Sequence, residues 1–90
     1  LSEVERTVTI ANQRGLHARA SSKFVTLVSE LNIEIEVSRD GQSVAGSSIL
    51  DLMMLGAAMG DAITIRAEGD GADAAVSQLA ELVESKFGED

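Results

Sequence analysis

Apolar residues along this 90-residue chain switch repeatedly between two spacings, and that switching limits what it can fold into. In Ile33-Glu34-Ile35-Glu36-Val37, apolar and charged side chains alternate strictly, as in a strand with one buried face and one wet face. Val4-Glu5-Arg6-Thr7-Val8-Thr9-Ile10-Ala11 alternates with Val4, Val8 and Ile10 inward, and 61–68 does so with Ile63, Ile65 and Ala67. Ala20, Phe24, Leu27, Val28 and Leu31 instead recur at helical intervals and predict a helix that ends near Leu31. Ala72, Val76, Leu79, Val83 and Phe87 repeat that stripe and predict a last helix over 72–87. Asp40-Gly41 reads as a tight hairpin turn into a short strand at Gln42-Ser43-Val44-Ala45, and 48–55 as a short helix stopped by Gly56. The resulting order is β-α-β-β-α-β-α. Strands with one apolar face need cover on that face alone, which predicts a two-layer α+β arrangement. No linker, repeat or low-complexity stretch interrupts it, so one domain over 1–90 is expected.

Composition removes several classes of function. Net charge is −8, from 15 acidic and 7 basic residues, and the aromatics are Phe24 and Phe87 alone. Nucleic acid needs a basic stripe and stacking rings, so no nucleic-acid partner is expected. The longest apolar run, around 49–58, is broken by Asp51, so no membrane insertion is expected. The start, Leu1-Ser2-Glu3-Val4-Glu5-Arg6, lacks the basic-then-apolar pattern of a signal peptide, and its leading Leu suggests a trimmed or truncated chain. Cysteine is absent, which fits a reducing compartment, and a cytoplasmic location is expected. Glu68-Gly69-Asp70-Gly71-Ala72-Asp73 lacks the spacing of a calcium loop and reads as a turn and helix start. One histidine and no cysteine assemble neither a metal cluster nor a catalytic set. No metal, no cofactor and no stand-alone enzyme are expected.

The chemistry concentrates in Gly15-Leu16-His17-Ala18-Arg19, which contains the only histidine. Asn12-Gln13-Arg14 and Gly15 mark a turn, so His17 falls at the cap of the first helix rather than inside it. A helix start carries N–H groups without internal partners and a partial positive charge, a natural place for a phosphate. A neutral imidazole there can act as a nucleophile, and Arg19 adds a permanent cation. Both a structural histidine and a phosphorylated one are compatible with this pattern.

Ser48-Ile49-Leu50-Asp51 has the form of a capping box. The helix it opens is apolar all round except at Asp51, and a helix that short cannot bury every face on one sheet. If Leu52 and Leu55 turn inward, some of Ile49, Leu50 and Met53 are exposed, which suggests a docking patch.

Gly15-Leu16-His17-Ala18-Arg19 followed by Phe24-Val25 resembles the active-site signature of HPr, the histidine phosphocarrier family of the bacterial phosphotransferase system. Ser48-Ile49-Leu50-Asp51-Leu52-Met53-Met54-Leu55-Gly56 resembles the second HPr signature, and Gly60-Asp61-Ala62-Ile63-Thr64-Ile65 its last strand. The resemblance implies an open-faced sandwich: a four-stranded antiparallel sheet covered on one face by three helices. It implies that His17 receives a phosphoryl group at Nδ1 from enzyme I and passes it to a histidine of an enzyme IIA. The N–H groups of Ala18 and Arg19, with Arg19's side chain, would then hold the phosphoryl oxygens. Ser48 would be the regulatory target of an HPr kinase/phosphorylase, and Ile49, Leu50 and Met53 a surface shared by successive partners. The chain departs from the family at Ala20, where proline is usual, and at Asp51, where Gly or Lys is common. Ala20 restores one N–H, a further hydrogen-bond donor toward the phosphoryl oxygens. Asp51 and the net charge fit an enzyme IIA of nitrogen-regulatory type, and a monomer is expected. The alternative function is a phosphorylation-independent docking module acting through residues 47–55.

Overall fold

The computed structural model describes residues 3–89; Leu1 and Ser2 of the N-terminal stretch, and Asp90, lie outside them. Strand β1 (Glu3–Thr9) leads to helix α1 (Ala18–Leu31), then to β2 (Glu36–Arg39), β3 (Gln42–Ala45) and helix α2 (Ile49–Met54). Strand β4 (Ala62–Glu68) and helix α3 (Ala72–Glu84) follow, and a 3-10 turn (Lys86–Gly88) closes the chain. The strands form one sheet in the order β1-β4-β2-β3, with every neighbouring pair antiparallel. The open-faced sandwich implied by the resemblance is therefore the fold.

Register decides which residues reach the core. Val8 lies opposite Ile63, and Val37 opposite Ile65, so these side chains share the helix-covered face and are buried. The other face carries Thr7 against Thr64, joined by their hydroxyls at 2.9 Å, and Arg66 paired with Glu3 and Glu36. Polar groups there stay wet, so this face needs no third layer. Phe24 and Val28 of α1, Leu52 of α2 and Val76, Leu79 and Val83 of α3 complete the core with the strands.

Local chemistry explains most boundaries. Asn32 ends α1 in the left-handed region at φ 54°, which asparagine tolerates, and its N–H bonds the Val28 carbonyl. Asp40 and Gly41 both have positive φ, as a two-residue hairpin turn requires.

Two elements differ from the periodic reading. β2 begins at Glu36, not Ile33. Its register pairs Glu36 with Arg66, so two more residues of ladder would set Glu34 opposite Glu68, which already faces Glu3. Like charges directly opposite oppose pairing. The last helix stops at Glu84, short of Phe87, and the chain reverses through Lys86 (φ 62°) and Phe87 (φ 55°). Left-handed backbone at a non-glycine residue costs about 1–3 kcal/mol, comparable to the gain from burying a phenylalanine ring. Phe87 is 1% exposed, so its ring reaches the core from a reversed turn rather than along a helical stripe.

Candidate functional site

His17 stands at the N-cap of α1 with an extended backbone, and its Nδ1 accepts a hydrogen bond from the Arg19 backbone N–H at 3.3 Å. A backbone N–H can only donate, so the Nδ1 lone pair points at the helix start. The proton of the neutral ring then sits on Nε2. Nε2 faces the Glu89 carboxylate, 2.6 Å from Oε2. The first intrahelical bond runs from Ser21 N–H to His17 C=O, leaving the N–H groups of Ala18, Arg19 and Ala20 without partners inside the helix.

The loop behind His17 is held from three sides. Gly15 has φ +65°, and a Cβ on it would lie 2.5 Å from the Ala57 oxygen and 2.9 Å from the Ala58 Cα, so only glycine fits. The next residue, Leu16, donates its N–H to the same Ala57 carbonyl at 3.0 Å and accepts from the buried Ser21 hydroxyl at 3.2 Å. Asn12, fully buried, donates its side-chain amide to Gly15 C=O at 2.8 Å and to Glu89 Oε1 at 3.1 Å. Two acceptors therefore orient that amide, and its own Oδ1 has no partner among the described residues.

Glu89 arrives by the reversed turn. Lys23 of α1 donates Nζ to the Phe87 carbonyl at 2.7 Å, which ties the tail beside His17. Burial pushes the Glu89 carboxyl up, but hydrogen bonds from His17 and Asn12 and the nearby charge of Lys23 outweigh it. The carboxyl is held below its ordinary value and stays ionised. Arg6, Arg39 and Arg66 are each in ion pairs. Among the described residues, the arginines left without an acidic partner are Arg14 and Arg19, which flank His17 in the chain and are exposed.

Ser48 caps α2, its Oγ accepting from Asp51 N–H at 3.2 Å. The reciprocal half of a capping box does not form, because the Ser48 N–H is taken by the Ala45 carbonyl. Leu52 and Leu55 turn inward, while Leu50 is 65% exposed and Ile49 and Met53 are 40% exposed. Met54 at 64% and Met59 at 56% are further exposed apolar side chains within 49–59, beyond the three residues read from the sequence. α2 packs on α1, so the patch and the His17 helix share one side of the molecule.

Residues 4–85 match the family model described as the phosphorylation site of the PTS HPr component. The chain belongs to the HPr family. It is 42% identical over 89 residues to the phosphocarrier protein NPr of Shewanella violacea, covering 99% of this chain and 98% of the relative. It superposes on HPr-C-His from Thermoanaerobacter tengcongensis with a TM-score of 0.88 at 40% identity, covering 100% of this chain and 99% of the other. A structure described as an HPr dimer from the same organism matches with a TM-score of 0.75 at 40% identity, over 99% of this chain and 100% of the other.

Within this HPr-type site, the structure adds Asn12, Glu89 and Lys23 to the residues singled out from the sequence. Asn12 was legible only as a turn residue, and Glu89 carried no signal in the sequence. No local pattern joins them, because they meet across 77 positions of chain.

Proposed function

We propose that this HPr-family chain is a phosphoryl carrier that accepts the group on His17 Nδ1 from enzyme I and delivers it to a histidine of an enzyme IIA. The observation that carries the reading is the ring's orientation. Nδ1 turns its lone pair toward the helix start, where it accepts from the Arg19 N–H, while Nε2–H is held by Glu89. In the transfer, the Nδ1 lone pair forms a bond to phosphorus as the bond to the donor nitrogen breaks. No proton has to move, since Nε2 keeps its own and the ring becomes an imidazolium beside the Glu89 carboxylate. The N–H groups of Ala18, Arg19 and Ala20 and the Arg19 guanidinium face the negative phosphoryl oxygens. Phosphoryl transfer asks mainly for such alignment and charge stabilisation. Reversal of the same step on a second partner completes the carrier cycle, so the chain is a stoichiometric participant and not an enzyme.

Ile49, Leu50 and Met53, with Met54 of the same helix, form the docking surface in this reading. Ser48 is a regulatory phosphorylation site for an HPr kinase/phosphorylase. Asp51 and the charge of −8 favour an enzyme IIA of nitrogen-regulatory type. The carrier acts in the cytoplasm as a monomer. Among the described residues, no helix is long and apolar enough to cross a membrane. Incubation with phosphoenolpyruvate and enzyme I, followed by intact mass before and after acid, tests the proposal. A gain of one acid-labile phosphate, absent in His17→Ala, is expected, and no gain in the parent protein would refute it.

A further inference from the structure

Arg39 ends β2 on the helix-covered parity of the sheet, two residues beyond the fully buried Val37, where a charge needs a reason. Its guanidinium spans two elements. Nη1 donates to the Leu55 carbonyl, at the C-terminus of α2, at 2.9 Å. Nη2 lies 3.1 Å from Asp61 Oδ2, and the same oxygen accepts the Ala58 N–H at 2.9 Å. Asp40 is a distant second acid at 3.7 Å and is 83% exposed, so it competes weakly. The segment fixed in this way, 55–61, is the one that holds the histidine loop. Ala57 C=O receives the Leu16 N–H, and Gly15 packs against Ala57 and Ala58. Ile10 and Gly60 close the other end through Gly60 N–H to Ile10 C=O at 2.8 Å.

We infer that Arg39 and Asp61 are positioning residues that set the spacing between the end of the apolar helix α2 and the loop carrying His17. The inference rests on the carrier reading, because only a partner that engages patch and histidine together needs that spacing held. A guanidinium suits the task, since its rigid fork bonds a carbonyl and a carboxylate at once. A lysine at the same place is a single point charge and can hold one of the two. Neither residue touches the phosphoryl group, so their loss loosens geometry without removing the acceptor.

The test uses the whole chain with Arg39→Gln, Arg39→Lys and Asp61→Asn, read in two ways. Hydrogen exchange at the Leu16 amide is measured without any partner, and steady-state phosphorylation by enzyme I is measured alongside melting temperature. In Arg39→Gln, faster Leu16 exchange and a fall in kcat/KM of about tenfold are expected, below the ~100-fold a 1 Å misplacement can cost. Full acid-labile labelling at the end point is retained. Arg39→Lys falls between Gln and the parent, although it keeps the charge. Unchanged Leu16 exchange, an equal effect of Lys and Gln on kcat/KM, or transfer loss that merely follows melting temperature across the variants would overturn the inference. Failure of the parent to accept phosphate would instead refute the carrier proposal, while the exchange measurement still decides whether the clamp exists.

Discussion

Two helix starts in this protein use the same local device and are surrounded differently. His17 caps α1 and Ser48 caps α2, each accepting a hydrogen bond from a backbone N–H in the first turn, at 3.3 and 3.2 Å. Behind His17 stand a glycine that admits no side chain, a buried asparagine and a carboxylate on the far ring nitrogen. Its helix runs 14 residues and is anchored by Phe24 and Val28. Ser48 opens a helix of 6 residues whose inward contact is mainly Leu52, and its surroundings are exposed apolar side chains. A cap alone therefore does not define chemistry. What surrounds the cap decides whether the group is held from several sides or left beside exposed apolar side chains.

The comparison breaks most sharply at the glycines beside each region. Gly15→Ala adds a Cβ against the Ala57 carbonyl as well as left-handed strain, and should cost about 2–4 kcal/mol by denaturant melt. Gly56→Ala, just after α2, has φ +67° and open space apart from Arg39 Nη1 at 4.0 Å, so only the strain of about 1–2 kcal/mol is expected. Equal losses would mean that the His17 loop is no more tightly held than the α2 end.

Ser48→Ala removes the cap and should cost about 0.5–2 kcal/mol with near-normal phosphorylation of His17. Ser48→Asp keeps an acceptor and adds charge favourable to a helix start, so its melting temperature should hold or rise. Negative charge beside Ile49 and Leu50 should nonetheless slow transfer from enzyme I. Transfer at the parent rate would leave Ser48 as a cap only.

Ala20→Pro acts on the other helix. The Ala20 N–H has no helical partner, so proline costs no backbone bond there and should stabilise by about 0.4–1 kcal/mol. If that N–H helps hold the phosphoryl group, the phosphohistidine of this variant hydrolyses faster. A lower melting temperature would show that the fully buried Ala20 site cannot take the ring.

The smallest effect is a change of slope. Because the folded state holds Glu89 below its ordinary value of 4.5, it binds that proton more weakly than the unfolded chain does. The stability supplied by Glu89 is complete above that ordinary value and is lost as pH falls through the lower folded one. Glu89→Gln should therefore lose less stability than the parent between neutral pH and the acid limb. An unchanged acid limb would show that the carboxylate is not coupled to His17 in solution.

Signals confined to a few residues were legible in the sequence: the end of α1 near Leu31, the Asp40-Gly41 hairpin, and a short helix with more apolar residues than the sheet can cover. Tertiary competition hid the rest. The Ile33 alternation looks like strand, yet the ladder starts later because Glu34 would meet Glu68. Phe87 falls on the helical stripe of α3, but the buried ring is reached through a reversed turn that also brings Glu89 to the histidine. Arg39 gave no motif, and Asp61 entered only within the Gly60–Ile65 stretch, an ordinary charge at a strand end until the fold sets both around Leu55 and Ala58.

The central claim is that the two ring nitrogens of His17 are committed to different tasks before any partner arrives. Nitrogen-15 and phosphorus-31 NMR of the 15N-histidine-labelled protein, phosphorylated by enzyme I, reads this directly. The account predicts phosphate on Nδ1, with Nε2 still protonated and sensitive to Glu89→Gln. Phosphate on Nε2, the nitrogen that faces Glu89, would contradict it.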